Sequence, residues 1–120
     1  MHVELPHIPW RYFPDLRRYE AKPLGLAGIV GDRWGSDRAL VDQQKQRFLF
    51  QTGATDTVLA RIVKRLKELG IWDRALVIVT ADHGVAFRPR YGRREPLPRT
   101  FADIAGVPLF VKAPFQRGGL

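Results

Sequence analysis

The chain has no cysteine among its 120 residues, one methionine, and a single serine, Ser36. The lack of cysteine excludes disulfides, thiolate zinc sites and cysteine nucleophiles within these residues. No apolar run approaches the roughly 20 residues that a membrane helix needs. No basic leader followed by an apolar stretch opens the chain, which predicts either a cytosolic protein or a targeting segment that lies outside these residues.

Acidic residues are also scarce: 12 of them face 20 lysines and arginines, which gives a net charge of +8. This excess favours an anionic partner, such as a phosphate or sulfate ester, a lipid headgroup or nucleic acid. An arginine-rich, solvated surface is the equal alternative. The hydrophobic share of 45% and the charged share of 27% are typical of one globular domain.

Three apolar stretches predict strands. Residues 75–80 form a continuous, β-branched run, which is typical of a central parallel strand covered on both faces. Residues 108–112 predict a further strand, and residues 2–8 a short one that Pro6 weakens. With the helix that lies between them, this order predicts an α/β fold with a mostly parallel sheet flanked by helices.

Helical spacing and end signals predict one long helix. It begins at Arg38 behind a cap from Ser36 or Asp37, and it ends at Gly70, a natural C-cap. Gly53 costs about 1 kcal/mol relative to alanine and therefore predicts a kink or break. The other stretches predict two long loops, over residues 9–36 and 84–99, and a helical turn over residues 101–105.

Asp82 and His83 directly follow the strongest predicted strand. Ligands of open α/β sheets bind beyond the carboxyl ends of strands, and carboxylate oxygens and imidazole nitrogens bind divalent metals well. Gly84 permits a turn from which both neighbours reach one ion. The alternative is that Asp82 caps a turn while His83 packs passively.

His7 lies at the end of the first predicted strand. If that strand runs parallel to residues 75–80, His7 emerges at the same sheet edge as Asp82 and His83. It would then donate a hydrogen bond to an ester oxygen or a leaving group. A loop histidine with a satisfied ring is the alternative.

These motifs together resemble a known family. The run His7-Ile8-Pro9-Trp10, the long helix, the strand ending in Thr80-Ala81-Asp82-His83-Gly84, and residues 104–112 resemble the second half of the sulfatase domain, in the alkaline phosphatase superfamily. The likeness is greatest to membrane-associated bacterial members, such as lipoteichoic acid synthases and related phosphoglycerol transferases. Residues 1–120 are therefore expected to form a single partial domain that lacks its N-terminal half.

The resemblance implies a hydrolase or transferase of sulfate or phosphate esters. It implies that Asp82 and His83 bind a divalent metal ion, which is calcium, manganese, magnesium or zinc. It implies that His7 contacts the sulfate or phosphate, and that Arg88 stands where the family places a substrate-binding lysine. The family's nucleophile is a formylglycine or a threonine, and Ser36 does not match the formylglycine signature. The chain alone is thus expected to be inactive, with an unpaired sheet edge or an exposed apolar face.

The resemblance also implies partners and a location. The partners are an anionic ester and the missing N-terminal half, with membrane association at the extracytoplasmic face through absent segments. The alternative function is a small basic binding module for anionic lipids or nucleic acid, although no nucleic-acid motif is visible. The second predicted loop carries basic residues that would attract an anion: Arg88, Arg90, Arg93, Arg94 and Arg99.

Overall fold

The computed structural model describes residues 2–20 and 26–118. Its elements are β1 (Ile29–Val30), β2 (Arg33–Trp34), α1 (Arg38–Glu68), β3 (Val77–Thr80), α2 (Phe101–Ala105) and β4 (Leu109–Lys112). The strands form two small sheets, β1 with β2 and β3 with β4, and both are antiparallel. Neither helix of the described ranges is long and apolar enough to cross a membrane.

The long helix α1 begins and ends where the sequence predicts. The Asp37 carboxylate accepts the backbone N–H groups of the second and third helical residues, at 2.9 and 3.3 Å. Gly70 follows the C-cap with a φ of 67°, which an L side chain rarely adopts. The break predicted at Gly53 is wrong, because the helix continues through it. A Cβ at Gly53 would lie 3.0 Å from the Pro14 ring, so the glycine leaves room for the loop that precedes α1 to pack against the helix.

The strand predicted over residues 2–8 is wrong. In this described segment the His7 backbone N–H donates to the Glu4 carbonyl at 2.7 Å, which closes a turn. Pro6 lies inside that turn and has no N–H for a sheet ladder. Its carbonyl accepts instead from the Trp10 indole at 3.0 Å. The segment therefore packs as a loop that is anchored by a tryptophan.

The strands β3 and β4 correspond to two predicted strands, but the predicted parallel arrangement is wrong for this pair. Thr80 lies opposite Leu109, so β4 begins at the edge where β3 ends. A parallel pair needs a connection that returns the chain to the other end of the sheet. Here the Gly84 N–H donates to the Ile104 carbonyl at 2.7 Å, which holds α2 at the edge where β3 ends. The chain consequently enters β4 from that edge.

A small aromatic core joins the parts of the chain that surround α1. Trp10, Trp34 and Val41 are buried. The Phe87 ring lies 5.5 Å from the Trp10 ring and 5.6 Å from the Trp34 ring. Phe48 of α1 completes the cluster, 5.4 Å from Phe87. Aromatic contacts thus fasten the segment that follows β3 to the first loop and the helix.

The sheet of β3 and β4 exposes apolar side chains. Ile78 and Val111 form a cross-strand pair, and their exposed fractions are 57% and 52%. Leu109 and Phe110 are exposed as well. The expectation of an exposed apolar face is confirmed.

Candidate functional site

Asp82 and His83 lie in the segment that leaves β3. One oxygen of the Asp82 carboxylate, Oδ1, accepts the backbone N–H of His83 at 3.0 Å. The other oxygen, Oδ2, lies 3.8 Å from Nε2 of the His83 ring. Metal bonds to such atoms measure about 2.0–2.5 Å, so two of them span this separation and both atoms fit one ion.

Gly84 holds this segment against α2. A Cβ built on Gly84 would lie 2.2 Å from the Asp103 carbonyl oxygen, so no larger residue fits without movement. The sequence suggested that Gly84 is needed for turn freedom. Gly84 does not adopt a positive φ, so turn freedom is not what requires a glycine here. The close approach of α2 is what requires it.

The His83 ring has a defined tautomer. Its Nδ1 lies 2.8 Å from the Gly84 carbonyl, and its Nε2 lies 3.2 Å from Nη1 of Arg94. A carbonyl only accepts and a guanidinium only donates, so Nδ1 carries the proton and Nε2 carries the lone pair. That lone pair is the one a metal ion would use, and the Nδ1–H bond to a carbonyl is typical support for a histidine ligand.

The Asp82 carboxylate is negatively charged at neutral pH. The backbone N–H of His83 lowers its pKa most. The side chain is 86% exposed.

His7, the predicted contact for the anion, has a different environment. Its ring Nδ1 lies 2.7 Å from the carbonyl of Ile8, and its own carbonyl accepts from Gln51. Within the described residues, no hydrogen bond or ion pair joins His7 to Asp82 or His83. The shared sheet edge that motivated the role is missing, because His7 does not end a strand. Its contact with the anion stays a prediction.

Arg88, the predicted substrate contact, pairs with α2. Its Nε lies 2.8 Å from Oδ2 of Asp103, and this ion pair raises the Arg88 pKa. Arg94 is the arginine that contacts the Asp82–His83 pair, through the His83 ring. Sequence reasoning placed Arg94 in the basic loop but had no signal that distinguished it from its neighbours.

The segment that carries Arg94 is fixed to β2. The Trp34 backbone N–H donates to the Tyr91 carbonyl at 3.0 Å. The Trp34 indole N–H donates to the buried Ala86 carbonyl at 2.8 Å. Arg33 pairs with Glu95 at 2.5 Å. The loop predicted over residues 84–99 is therefore an ordered part of the site.

These features define a chain of two helices and two small antiparallel sheets, with a pair of candidate metal ligands beyond the end of a strand. The family model described as Sulfatase matches residues 1–118, and the chain therefore belongs to the sulfatase family. Membership supports a hydrolase, and sulfatases generally use a divalent metal ion. No curated protein and no solved structure matches the chain.

The site is rich in charge but short of ligands. Across residues 2–20 and 26–118, no group of three or more histidine, cysteine or acidic side chains is arranged to hold a metal ion. Asp82 and His83 are thus a pair of candidate ligands and not a full set. A catalytic zinc usually has about three protein ligands, and calcium about six or more oxygens.

Proposed function

We propose that this chain supplies the Asp82–His83 part of a divalent metal site in an enzyme that hydrolyses or transfers sulfate or phosphate esters. The observation that carries the proposal is the 3.8 Å separation between the free carboxylate oxygen of Asp82 and the Nε2 lone pair of His83. A bound calcium, manganese, magnesium or zinc ion would polarise the ester and orient the nucleophile.

The chain's own groups have clear tasks in such a site. Asp82 contributes a negative ligand, because its pKa is lowered by the backbone N–H of His83. His83 contributes a neutral nitrogen, which the Gly84 carbonyl orients through Nδ1. His7 would contact the anionic group or the leaving group of the ester. Arg88 would add positive charge at the side of the site that α2 forms.

The nucleophile comes from outside these residues. The Thr100 hydroxyl is buried, donates to the Glu95 carbonyl and accepts from the Leu97 N–H at 3.0 Å, so it is not free to react. Ser36 lies in a sequence that does not match the formylglycine signature. An N-terminal half of the domain would supply the nucleophile and the further acidic ligands.

The exposed sheet is consistent with such a partner. A sheet of two strands is marginally stable by itself, and the face that carries Ile78 and Val111 is open. In the complete domain, further strands would extend this sheet as a mostly parallel one, with β4 as an antiparallel member. Segments outside these residues would attach the enzyme to the extracytoplasmic face of a membrane, as in the phosphoglycerol transferases that the sequence resembles.

The test uses the chain alone and an enzyme that also contains the nucleophile. Aryl sulfate and aryl phosphate hydrolysis is measured with calcium, magnesium, manganese or zinc. The chain alone should be inactive. The complete enzyme should turn over, and Asp82→Ala and His83→Ala should each abolish turnover. Asp73→Ala should not, because Asp73 is exposed and precedes β3, whereas the pair follows it. Full activity of Asp82→Ala, or turnover by the chain alone that His83→Ala removes, would contradict the proposal.

A further inference from the structure

Arg94 occupies the position on His83 that a metal ion would take. Its Nη1 lies 3.2 Å from His83 Nε2, the only ring nitrogen with a lone pair. A nitrogen lone pair serves one hydrogen-bond donor or one metal ion, and not both. The contact between Arg94 and His83 and a metal bond to His83 therefore exclude each other.

We propose that Arg94 is a displaceable placeholder at the metal site. Without metal, its guanidinium donates to the lone pair of His83; when a divalent cation takes that lone pair, the guanidinium moves to an anionic oxygen of the ester. This inference rests on the proposed function, because it requires that His83 binds a metal ion. It adds a residue that links the arrival of the ion to recognition of the sulfate or phosphate group.

Arg94 is suited to this exchange because it is weakly held. Its side chain is exposed, and among the residues that the structure describes it forms one side-chain hydrogen bond, to His83. Arg88 and Arg33, by contrast, are engaged by the carboxylates of Asp103 and Glu95. Losing one exposed hydrogen bond costs little, so a cation can displace Arg94.

A guanidinium released next to a cation needs an anion. The neighbouring Arg93 is partly buried, and its pKa is lowered by burial and then by the charge of Arg94. This local excess of positive charge opposes retention of Arg94 beside a metal ion unless a negative group is present. A sulfate or phosphate oxygen on the ion supplies that group, and the planar guanidinium fits it in a bidentate manner.

The first experiment needs no metal. Nitrogen-15 NMR of the His83 ring in the metal-free chain should show a protonated Nδ1 and an unprotonated Nε2. Arg94→Ala should shift the Nε2 resonance, whereas Arg99→Ala should leave it unchanged, because Arg99 is exposed and lies in the same basic segment. Protonation at Nε2 in the unsubstituted chain would overturn the inference together with the lone pair on which the metal site depends. An Nε2 resonance that Arg94→Ala leaves unchanged would overturn the inference and leave the metal site itself intact.

The second experiment measures Mn²⁺ affinity by calorimetry. In buffer without sulfate, Arg94→Ala should bind Mn²⁺ about two- to tenfold more tightly than Arg99→Ala, because no hydrogen bond has to be broken first. Added inorganic sulfate should tighten Mn²⁺ binding in Arg99→Ala but much less in Arg94→Ala. Equal affinities in the two variants would overturn the placeholder. Absence of Mn²⁺ binding in all chains would overturn the proposed metal site together with it.

Discussion

The substitution Gly84→Ala tests how closely the segment of residues 82–84 packs on α2. The added Cβ would lie 2.2 Å from the Asp103 carbonyl oxygen, whereas ordinary van der Waals contact begins at 3.4 Å. The segment or α2 must then move by about 1.2 Å, the difference between these two distances. That movement also stretches the 2.7 Å hydrogen bond from the Gly84 N–H to Ile104.

The expected cost follows from these two effects. Overpacking that forces the backbone to shift costs about 1–3 kcal/mol. Weakening the hydrogen bond between Gly84 and Ile104 adds about 0.5–1.5 kcal/mol. The free energy of unfolding should therefore fall by about 1.5–4.5 kcal/mol, which is a large part of the stability of a small domain.

Urea denaturation followed by tryptophan fluorescence measures this change. Gly118→Ala is the matched control, because a Cβ at Gly118 meets nothing within 4 Å. The Gly84→Ala midpoint should lie well below that of the control at the same slope. Identical midpoints would show that Gly84 does not pack on α2 as described, and the position of His83 would then have to be reconsidered.

Two substitutions and one titration test the surroundings of the site. Gln51→Leu should destabilise the chain by about 1–3 kcal/mol and speed hydrogen exchange at Arg11, because the buried Gln51 amide accepts the Arg11 N–H at 2.8 Å. Trp34→Phe should lower the free energy of unfolding by a similar amount, and the urea midpoint with it. The substitution leaves the buried Ala86 carbonyl without the indole N–H that now donates to it at 2.8 Å. In an NMR titration the Asp82 carboxyl should have a midpoint below 3.8, its ordinary pKa. The stability linked to it should be fully present above 3.8 and should be lost as the pH falls from 3.8 through the lowered value.

Each of these results has a clear opposite. Gln46→Leu, an exposed position on the same helix, should leave the Arg11 exchange rate unchanged. Exchange that is equally fast in both variants would refute the role of Gln51. A Trp34→Phe midpoint equal to that of the unsubstituted chain would refute the indole contact. An Asp82 titration midpoint above 3.8 would refute the bond from the His83 N–H.

Local signals in the sequence predicted the helical part of the fold well. The ends of α1 follow from the Asp37 carboxylate and from Gly70, which act within a few residues of themselves. The position of β3 follows from its β-branched composition. Gly53 was misread because its meaning depends on Pro14, which is distant in sequence and adjacent only in the folded chain.

Tertiary relations decided what sequence reasoning missed. The direction of β4 relative to β3 depends on how α2 is anchored at Gly84, and no spacing rule contains that information. Asp82 and His83 are neighbours in sequence, so their association was predictable. His7 and Arg94 reach their surroundings through turns and loops, and their partners could be identified only from the folded chain.

The most direct measurement of the central claim is where a metal ion binds. Mn²⁺ broadens the NMR signals of nearby amides, so a titration of the nitrogen-15-labelled chain locates the ion. Broadening should centre on residues 82–84, and Asp82→Ala and His83→Ala should each remove it, whereas Asp73→Ala should not. Broadening that centres elsewhere, or that persists in both variants, would contradict the claim that Asp82 and His83 bind one ion.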